Sequence, residues 1–288
     1  MNDLLKPMSG RRAVITGATS GHGRALATAL TSMGADCLMV GRNSAKCEET
    51  VSLIRDKTGR APGFVLCDLS SLRDIERAAR EILADSRPIH ILINNAGLVS
   101  QRYSETVDGN EETFAVNYLS MYALTIMLKP RIVESAPARI INVSSDTHRI
   151  GALDLDDIQG RNRRYTFMGA YARSKLAVVH FTVELARLLE GTGVTVNAVD
   201  PGPIASGIAD KPGMMPAIAS AVIRLTFPSP EKACRTALHL AVSEEVAGTT
   251  GGYFRFMKMK PPKTVQKPGD FGMRLMHLSA KMTGAPWG

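Results

Sequence analysis

The sequence predicts an α/β fold in which a doubly wound parallel sheet carries helices on both faces. Short β-branched runs alternate with longer helical stretches, and glycine or polar clusters follow most of the runs. Since repeated strand and helix units need right-handed crossovers, the strands are expected to be parallel. A chain of 288 residues that is 44% hydrophobic can bury one large core. We therefore expect a single domain with a C-terminal extension.

Seven short runs rich in aliphatic or aromatic residues are predicted as strands: 13–16, 37–40, 63–67, 89–93, 139–143, 194–199 and 253–256. Six stretches have helical periodicity: 22–33, 44–58, 72–84, 111–133, 169–189 and 230–246. Strict alternation fades after Pro201, where residues 204–227 place Gly213 and Pro216 beside an apolar run and suggest a mobile helical flap. This flap and the Arg-rich segment 150–168 are expected to border a substrate pocket.

Residues 1–256 are predicted to form the main domain, and residues 257–288 a basic tail. Six cations against Asp270 give the tail +5 of the net charge of +8. Apolar residues at helical spacing predict a short amphipathic helix in it: Phe271, Leu275, Leu278 and Met282. Four alternatives stay open: a loosely ordered tail, a cover for the substrate mouth, a contact with another subunit, or a contact with an anionic membrane surface.

The charge and the cysteines exclude several function classes. The basicity lies mainly in the tail and accompanies no recognised nucleic-acid motif, so no nucleic-acid partner is expected. No apolar stretch approaches the roughly 20 residues that cross a bilayer, so we expect a cytoplasmic protein with at most peripheral membrane contact. The four cysteines have neither CxxC nor metal-ligand spacing, and we expect them to be buried, with no disulfide and no metal.

Residues 16–23 read TGATSGHG and join the first predicted strand to the first predicted helix. Glycines there let the backbone approach phosphate oxygens, which the amides and dipole of the helix start can hold. A glycine-rich turn alone could be only a tight connection between a strand and a helix. Its position directly after the first predicted strand instead indicates a Rossmann-type sheet. Polar clusters at 41–42, 68–69, 94–97, 144–145 and 200–202 also follow predicted strands. We therefore expect a ligand at the carboxyl edge of the sheet.

With this TGxxxGxG turn and four further motifs in order, the chain resembles the short-chain dehydrogenase/reductase family. The motifs are Asn94-Asn95-Ala96-Gly97, Ser144-Ser145, Tyr171-Ala172-Arg173-Ser174-Lys175 and Pro201-Gly202. The resemblance spans residues 10–256, and over residues 138–201 it is most like the retinol-dehydrogenase-like branch.

Tyr171 and Lys175 are four residues apart, so on a helix they share a face. A nearby cation favours phenolate, and we expect Lys175 and oxidised nicotinamide to lower the pKa of Tyr171 from about 10. The resemblance implies that Tyr171 transfers the proton, that Ser145 (with Ser144 as its rival) binds the substrate oxygen, and that Asn117 helps hold a water. The alternatives are a solvated lysine, hydroxyls that satisfy backbone groups, and a core asparagine bonded to a helix carbonyl.

An acidic residue after the second strand would bind the ribose of NAD, but Gly41-Arg42 stands there. Arg42 offers the 2′-phosphate of NADP a planar fork of donors, so we expect NADP(H) rather than NAD(H), unless Arg42 is only a surface arginine. The resemblance assigns the cofactor contacts to Gly17, Thr19, Ser20, Gly21, His22, Gly23, Arg42, Asp68, Leu69, Asn95, Ala96, Gly97, Tyr171, Lys175, Pro201, Gly202, Ile204 and Ser206.

Two of the assigned cofactor positions have a second interpretation. His22 departs from the small apolar residue usual in the family. It either touches the cofactor phosphates or ribose, or it is a partly exposed loop histidine without function. Asp68 either lies near the adenine amino group or is an ordinary helix N-cap.

The resemblance implies hydride transfer between nicotinamide and a carbonyl or alcohol carbon, with Tyr171 as general acid and base. Met214, Met215, Ile218 and Val222 in the flap favour a lipophilic small molecule as substrate. The alternative is a non-catalytic NADP(H)-binding sensor or interaction protein of the same fold. Apolar surface on the helices that contain Asn117 and Tyr171 predicts a homodimer or homotetramer.

Overall fold

A computed structural model describes residues 7–202, 228–262 and 270–287. The strands are β1 (Arg12–Thr16), β2 (Asp36–Gly41), β3 (Gly63–Leu66), β4 (Ile91–Asn94), β5 (Ala138–Val143), β6 (Val194–Asp200), β7 (Tyr253–Arg255) and β8 (Lys258–Lys260). They form one sheet in the order β3-β2-β1-β4-β5-β6-β7-β8. Every neighbouring pair is parallel except β7 and β8. The predicted doubly wound parallel sheet is confirmed.

The helices alternate with the strands along the chain. They are α1 (Gly21–Ser32), α2 (Ser44–Thr58), α3 (Leu72–Ala84), α4 (Glu112–Phe114), α5 (Ser120–Glu134), α6 (Phe167–Leu188), α7 (Pro230–Ala233), α8 (Arg235–Val242) and α9 (Asp270–Thr283). A π-helical turn, Ala115–Leu119, joins α4 to α5, so the predicted helix 111–133 contains a bulge. The predicted helix 230–246 is divided into α7, α8 and a 3₁₀ turn.

Side chains of one strand alternate between two hydrophobic cores. Ala13 and Ile15 of β1 pack in the core that also contains residues of α1, α2 and α8. Val14 points into the other core, which is formed with α3, α5, α6 and α9. Because successive residues of a strand face opposite sides, both faces of the sheet are covered by helices. The nearly continuous apolar composition of β1 follows from this double burial.

The winding direction changes at β1, which pairs with β2 on one side and with β4 on the other. The loops that follow β1 and β4 therefore leave the sheet on either side of a crevice at its carboxyl edge. The glycine-rich turn follows β1 and the Asn-Asn-Ala-Gly segment follows β4. The topology thus brings together two motifs that lie more than seventy residues apart in the sequence.

The predicted basic tail is largely part of the domain. Strand β8, which the sequence did not predict, pairs antiparallel with β7 and extends the sheet beyond residue 256. Helix α9 confirms the predicted amphipathic helix, and its Leu275 and Met276 are buried against the domain. The described part of the predicted tail therefore contributes a strand and a helix packed on the domain, which is more ordered than the loose tail that was one of the open alternatives.

Helix α9 covers the surface on which the oligomer prediction depended. The Tyr118 hydroxyl lies 2.7 Å from the Ser279 hydroxyl. The Tyr122 hydroxyl donates to the Ala285 carbonyl at 3.1 Å, and Phe271 lies against His180 with ring centroids 5.0 Å apart. These contacts place α9 on α5, α6 and the π turn. The apolar side of those helices is thus packed within one chain, and subunit assembly stays a prediction.

Within the described ranges, no helix combines the length and apolar character needed to cross a bilayer. All four cysteines are buried, as the sequence predicts. The predicted flap at residues 204–227 lies outside the described residues.

Candidate active site

The glycine-rich turn after β1 is held in a form that side chains would obstruct. Gly17 has a φ of +65°, and a Cβ there would lie 2.8 Å from the Cα of Ala96. A Cβ on Gly23 would lie within 2.4 Å of both the Gly17 carbonyl oxygen and the Asn95 amide nitrogen. Glycine is therefore required where this turn meets the segment after β4.

The start of α1 has no side-chain cap. Ser20 occupies the N-cap position without a capping hydrogen bond, and the first turn contains no acidic residue. In contrast, Asn43, Ser71 and Thr166 accept backbone N–H groups at the starts of α2, α3 and α6. Since the first N–H groups of a helix need an acceptor, the glycine turn and the uncapped α1 fit a dinucleotide phosphate.

A hydrogen-bond network joins the two sides of the crevice, which are the glycine turn after β1 and the segment after β4. The Thr16 hydroxyl accepts the N–H groups of Asn95 and Ala96, both at 3.0 Å. The Asn95 side chain donates to the carbonyls of Thr16 and Gly17 at 2.9 and 3.1 Å. Asn95 therefore holds the glycine turn in place, and Ala96 packs against the turn at Gly17.

His22 belongs to this hydrogen-bond network. Its Nδ1 lies 2.8 Å from Asn95 Oδ1, and the residue is only 6% exposed. Burial lowers its pKa, so the imidazole is neutral at pH 7. The interpretation of His22 as a partly exposed loop residue is wrong. Its side chain supports Asn95, and its contact with the cofactor stays a prediction.

The outer cofactor positions lie at the ends of β2 and β3. Arg42 follows β2 and is exposed, as is Arg24 on α1. A Cβ on Gly41 would lie 3.1 Å from Thr19, so the glycine turn reaches the end of β2. Asp68 accepts the Ser70 hydroxyl and N–H at 2.7 and 3.0 Å. Because Ser71 caps α3, the N-cap interpretation of Asp68 is wrong.

The structure separates the roles of the two serines after β5. The Ser144 hydroxyl donates to the Lys175 carbonyl at 3.0 Å and is buried. The Ser145 side chain instead accepts the Thr147 N–H at 3.3 Å and lies close enough to the Tyr171 hydroxyl to lower the pKa of Tyr171. Two hydroxyls therefore stand together at the carboxyl edge, available to one substrate oxygen, and they belong to Ser145 and Tyr171.

Lys175 is buried directly behind this pair. Its Nζ donates to the Val143 carbonyl at 2.8 Å and lies 5.5 Å from the centre of the Tyr171 ring. Burial lowers the pKa of Lys175 to about 8, while the negative charge of Asp200 opposes that shift. The ammonium is thus placed beside the phenol, as four-residue spacing on a helix predicts.

The protein's own groups raise the pKa of Tyr171, whereas from the sequence we expect it to be lowered. Burial raises the pKa of Tyr171 to about 12, the charge of Asp200 adds to this rise, and the nearby Ser145 hydroxyl opposes it. The expectation considered the charges of Lys175 and oxidised nicotinamide and omitted the cost of burying a phenolate. At neutral pH the side chain is therefore a protonated phenol, which is the form that donates a proton.

Asn117 lies in the π-helical turn and joins three segments. Its amide accepts the Leu98 N–H at 2.7 Å, and it donates to the Leu98 carbonyl and to the Ser174 hydroxyl at 2.9 and 3.1 Å. A Cβ on Gly97 would lie 3.2 Å from Asn117 Oδ1 and 3.6 Å from Lys175 Nζ. Asn117 is thus no core asparagine bonded within its own helix, since it fixes the loop after β4 beside Lys175.

Pro201 and Gly202 follow β6 at the same edge of the sheet, whereas Ile204 and Ser206 lie outside the described residues. Sequence reasoning noted Asp200 only as part of this polar cluster and missed Arg255. The structure pairs their strands in register, with Arg255 Nε 3.2 Å from Asp200 Oδ2. Their unlike charges were visible in the sequence, but their proximity depends on the order of the strands.

A dinucleotide-type sheet with Ser, Tyr and Lys side chains grouped at its carboxyl edge defines an α/β oxidoreductase. The model of the short chain dehydrogenase family matches residues 11–214, and the chain belongs to that family. The predicted resemblance, including its retinol-dehydrogenase-like branch, is confirmed. The family binds a nicotinamide cofactor and acts on small-molecule alcohols or carbonyls.

Curated relatives match nearly the whole chain. Human retinol dehydrogenase 13 is 37% identical over 96% of this chain and 85% of its own length. Mouse polyprenol dehydrogenase is 34% identical over 99% of this chain and 87% of its own.

Among solved structures, a putative uncharacterized protein from Mycobacterium Paratuberculosis is 28% identical. It has a TM-score of 0.76 and covers 100% of this chain and 99% of its own. A putative short chain dehydrogenase from Escherichia coli CFT073, solved in complex with NADPH, is 25% identical with a TM-score of 0.68. That match covers 86% of this chain and 97% of the other.

Proposed function

We propose that this chain is an NADP(H)-dependent oxidoreductase that interconverts a carbonyl and an alcohol on a lipophilic small molecule. The observation that carries the proposal is the grouping of Ser145, Tyr171 and Lys175 at the edge that also bears the uncapped glycine turn. Nucleotide site and proton donor therefore face the same crevice. A protein that only sensed NADP(H) would not need these three side chains together.

In carbonyl reduction, the hydroxyls of Ser145 and Tyr171 donate hydrogen bonds to the substrate oxygen and draw electrons from its carbon. When bound at the glycine turn, the nicotinamide cofactor would supply the hydride for that carbon. Tyr171 gives its proton to the oxygen and becomes a phenolate, which the Lys175 ammonium stabilises. In alcohol oxidation Tyr171 takes the proton back. Asn117 holds the Leu98 loop beside Lys175 and keeps this arrangement in place.

Three features support NADP(H) as the cofactor. The exposed Arg42 follows β2, where a carboxylate would favour NAD. Arg24 is also exposed on the first turn of α1. The Escherichia coli CFT073 protein of the same family was solved with NADPH. An arginine fork beside the adenosine ribose would bind the 2′-phosphate with two parallel hydrogen bonds.

The names of two relatives support a lipophilic substrate, because retinol and polyprenol are both isoprenoid alcohols. The apolar side chains within residues 204–227 support it independently at the level of sequence. An apolar pocket discriminates weakly among such ligands, so the proposal extends to the class and not to one compound.

The proposal is tested by calorimetric titration with NADPH and NADH, followed by a panel of aliphatic, aromatic and isoprenoid aldehydes and ketones. We expect tighter binding of NADPH and loss of NADPH absorbance with the more apolar carbonyls. Tight NADPH binding without turnover on the whole panel would favour the sensor function. Equal binding of the two cofactors would remove the role assigned to Arg42.

A further inference from the structure

A buried carboxylate stands beside the catalytic groups. Asp200 ends β6 and is 3% exposed. It is one residue beyond Val199, which pairs with Val143, the residue whose carbonyl accepts the Lys175 ammonium. The Gly202 N–H donates to Asp200 Oδ1 at 2.8 Å. Burying a charge is costly unless it is paired, so this position requires a cation nearby.

Arg255 is that cation, and it joins three strand ends. Its Nε lies 3.2 Å from Asp200 Oδ2, an ion pair without hydrogen-bond geometry. Its Nη1 donates to Asp146 Oδ2 at 2.9 Å, and Asp146 directly follows Ser145. Asp146 also forms an ion pair with Arg149. Arg255 thus links the segment after β6 to the segment that carries Ser145.

Several titratable groups share this region. The charged or titratable groups within electrostatic range of Asp200 come from α6, β7 and the segment after β5: Tyr171, Lys175, Tyr253, Arg255, Asp146 and His148. Asp200 raises the pKa of both Tyr171 and Lys175. Its charge therefore favours the ammonium form of the buried lysine and adds to the effect of burial in favouring the phenol form of Tyr171.

We propose that Asp200 and Arg255 are opposed positioning residues that set the charge balance of the Tyr171–Lys175 pair, an inference that rests on the proposed function. The negative charge of Asp200 favours the protonated forms of Tyr171 and Lys175. The positive charge of Arg255 partly neutralises Asp200 and so weakens this effect. Neither residue needs to touch the substrate. The two act through the protonation of Tyr171 and Lys175.

The proposal predicts shifts of opposite sign. In Asp200→Asn the side chain keeps an acceptor for Gly202 but loses its charge, so the pKa values of Tyr171 and Lys175 both fall. In Arg255→Met the charge of Asp200 is less neutralised, so both pKa values rise. Each shift is expected to be on the order of one pH unit. A merely structural role would lower activity in both variants and shift neither profile.

The first test measures kcat/KM for NADPH-dependent carbonyl reduction against pH. Reduction needs the Lys175 ammonium to stabilise the Tyr171 phenolate, so the rate falls as pH rises through the Lys175 pKa of about 8. This alkaline fall should move to lower pH in Asp200→Asn, to higher pH in Arg255→Met, and little in Arg255→Lys. Arg80→Met on α3 removes an exposed cation far from the edge and should match the parent profile. Shifts of the same sign, or none, would overturn the proposal.

The second test needs no turnover. The phenolate absorbance of the full chain minus that of Tyr171→Phe reports the ionisation of Tyr171 alone. The same subtraction in the Asp200→Asn and Arg255→Met backgrounds should show earlier and later titration, respectively. Opposed shifts here without any carbonyl reduction would reject the proposed function and retain the charge balance. Unshifted titration in both backgrounds would reject the charge balance even if reduction is observed.

Discussion

The two halves of α6 lie in different surroundings. The first half buries polar side chains, among them Ser174 and Lys175, against the strand ends. The second half packs Phe181 and Leu185 into the apolar core that includes α9. Burial opposes stability at Lys175, because an ammonium loses water there, and supports stability at Phe181 and Leu185. One helix therefore connects a region arranged for chemistry with a region that holds the domain together.

This comparison predicts that the second region governs stability without governing activity. Leu275 of α9 is 1% exposed in the shared core, so Leu275→Ala should lower the free energy of unfolding by about 2–5 kcal/mol. Urea unfolding measures this change. Leu53→Ala, a matched substitution at a residue 47% exposed on α2, should cost less than about 1 kcal/mol. The affinity for NADPH should be equal in all three proteins, and a tenfold loss in Leu275→Ala would contradict the separation.

A substitution of Lys175 in the first half of α6 should have the opposite effect: it should remove activity and increase stability. Burial lowers the pKa of Lys175 from its ordinary 10.5 to about 8, so the folded chain binds fewer protons than the unfolded chain between these pH values. Stability of the parent chain therefore rises with pH over that window. At pH 7 Lys175→Met should abolish carbonyl reduction and raise the free energy of unfolding by up to roughly 3 kcal/mol.

The stabilisation by Lys175→Met should shrink as the pH is raised from 8 towards 10.5. Urea unfolding at pH 7, 8, 9 and 10 checks both the sign and the window. The control is Lys57→Met, at an exposed lysine of α2, which should change stability little at any pH. A Lys175→Met protein less stable than the parent at pH 7 would show that the ammonium supports the fold.

The smallest predicted effect concerns the cofactor. Arg42→Asp replaces an exposed cation after β2 with a carboxylate that repels a 2′-phosphate. We expect NADPH affinity to fall by roughly 10- to 100-fold relative to NADH, about 1.4–2.7 kcal/mol. Calorimetric titration measures both cofactors, with Arg55→Asp on the exposed side of α2 as the matched control. An unchanged NADPH to NADH ratio would place the phosphate elsewhere.

The sequence predicts the arrangement at the carboxyl edge of the sheet well because local signals and topology agree there. The predicted limits of α2 and α3 match the structure, since Asn43 and Ser71 cap the helix starts. Parallel strands end at one edge, so motifs that follow predicted strands must meet. The preference for Ser145 over Ser144 came from resemblance, and the structure provides a geometric reason for it.

The packing of α9, strand β8 and the Asp200–Arg255 contact could not be predicted from the sequence. An amphipathic pattern predicts the helix α9 but not the surface it covers, because several apolar faces accept the same stripe. Strand β8 is three exposed residues long and lacks an apolar signal. The Asp200–Arg255 contact joins residues 55 positions apart through strand pairing, which is not visible before the sheet order is known.

The most direct measurement compares the full chain with Tyr171→Phe at neutral pH, following both NADPH binding and carbonyl reduction. The phenol oxygen is the only group removed, and Phe fills the same space. The account predicts that kcat/KM falls by roughly 10²- to 10⁴-fold while the Kd for NADPH stays within twofold. Retained turnover in Tyr171→Phe would show that the proton comes from another group and would contradict the proposed mechanism.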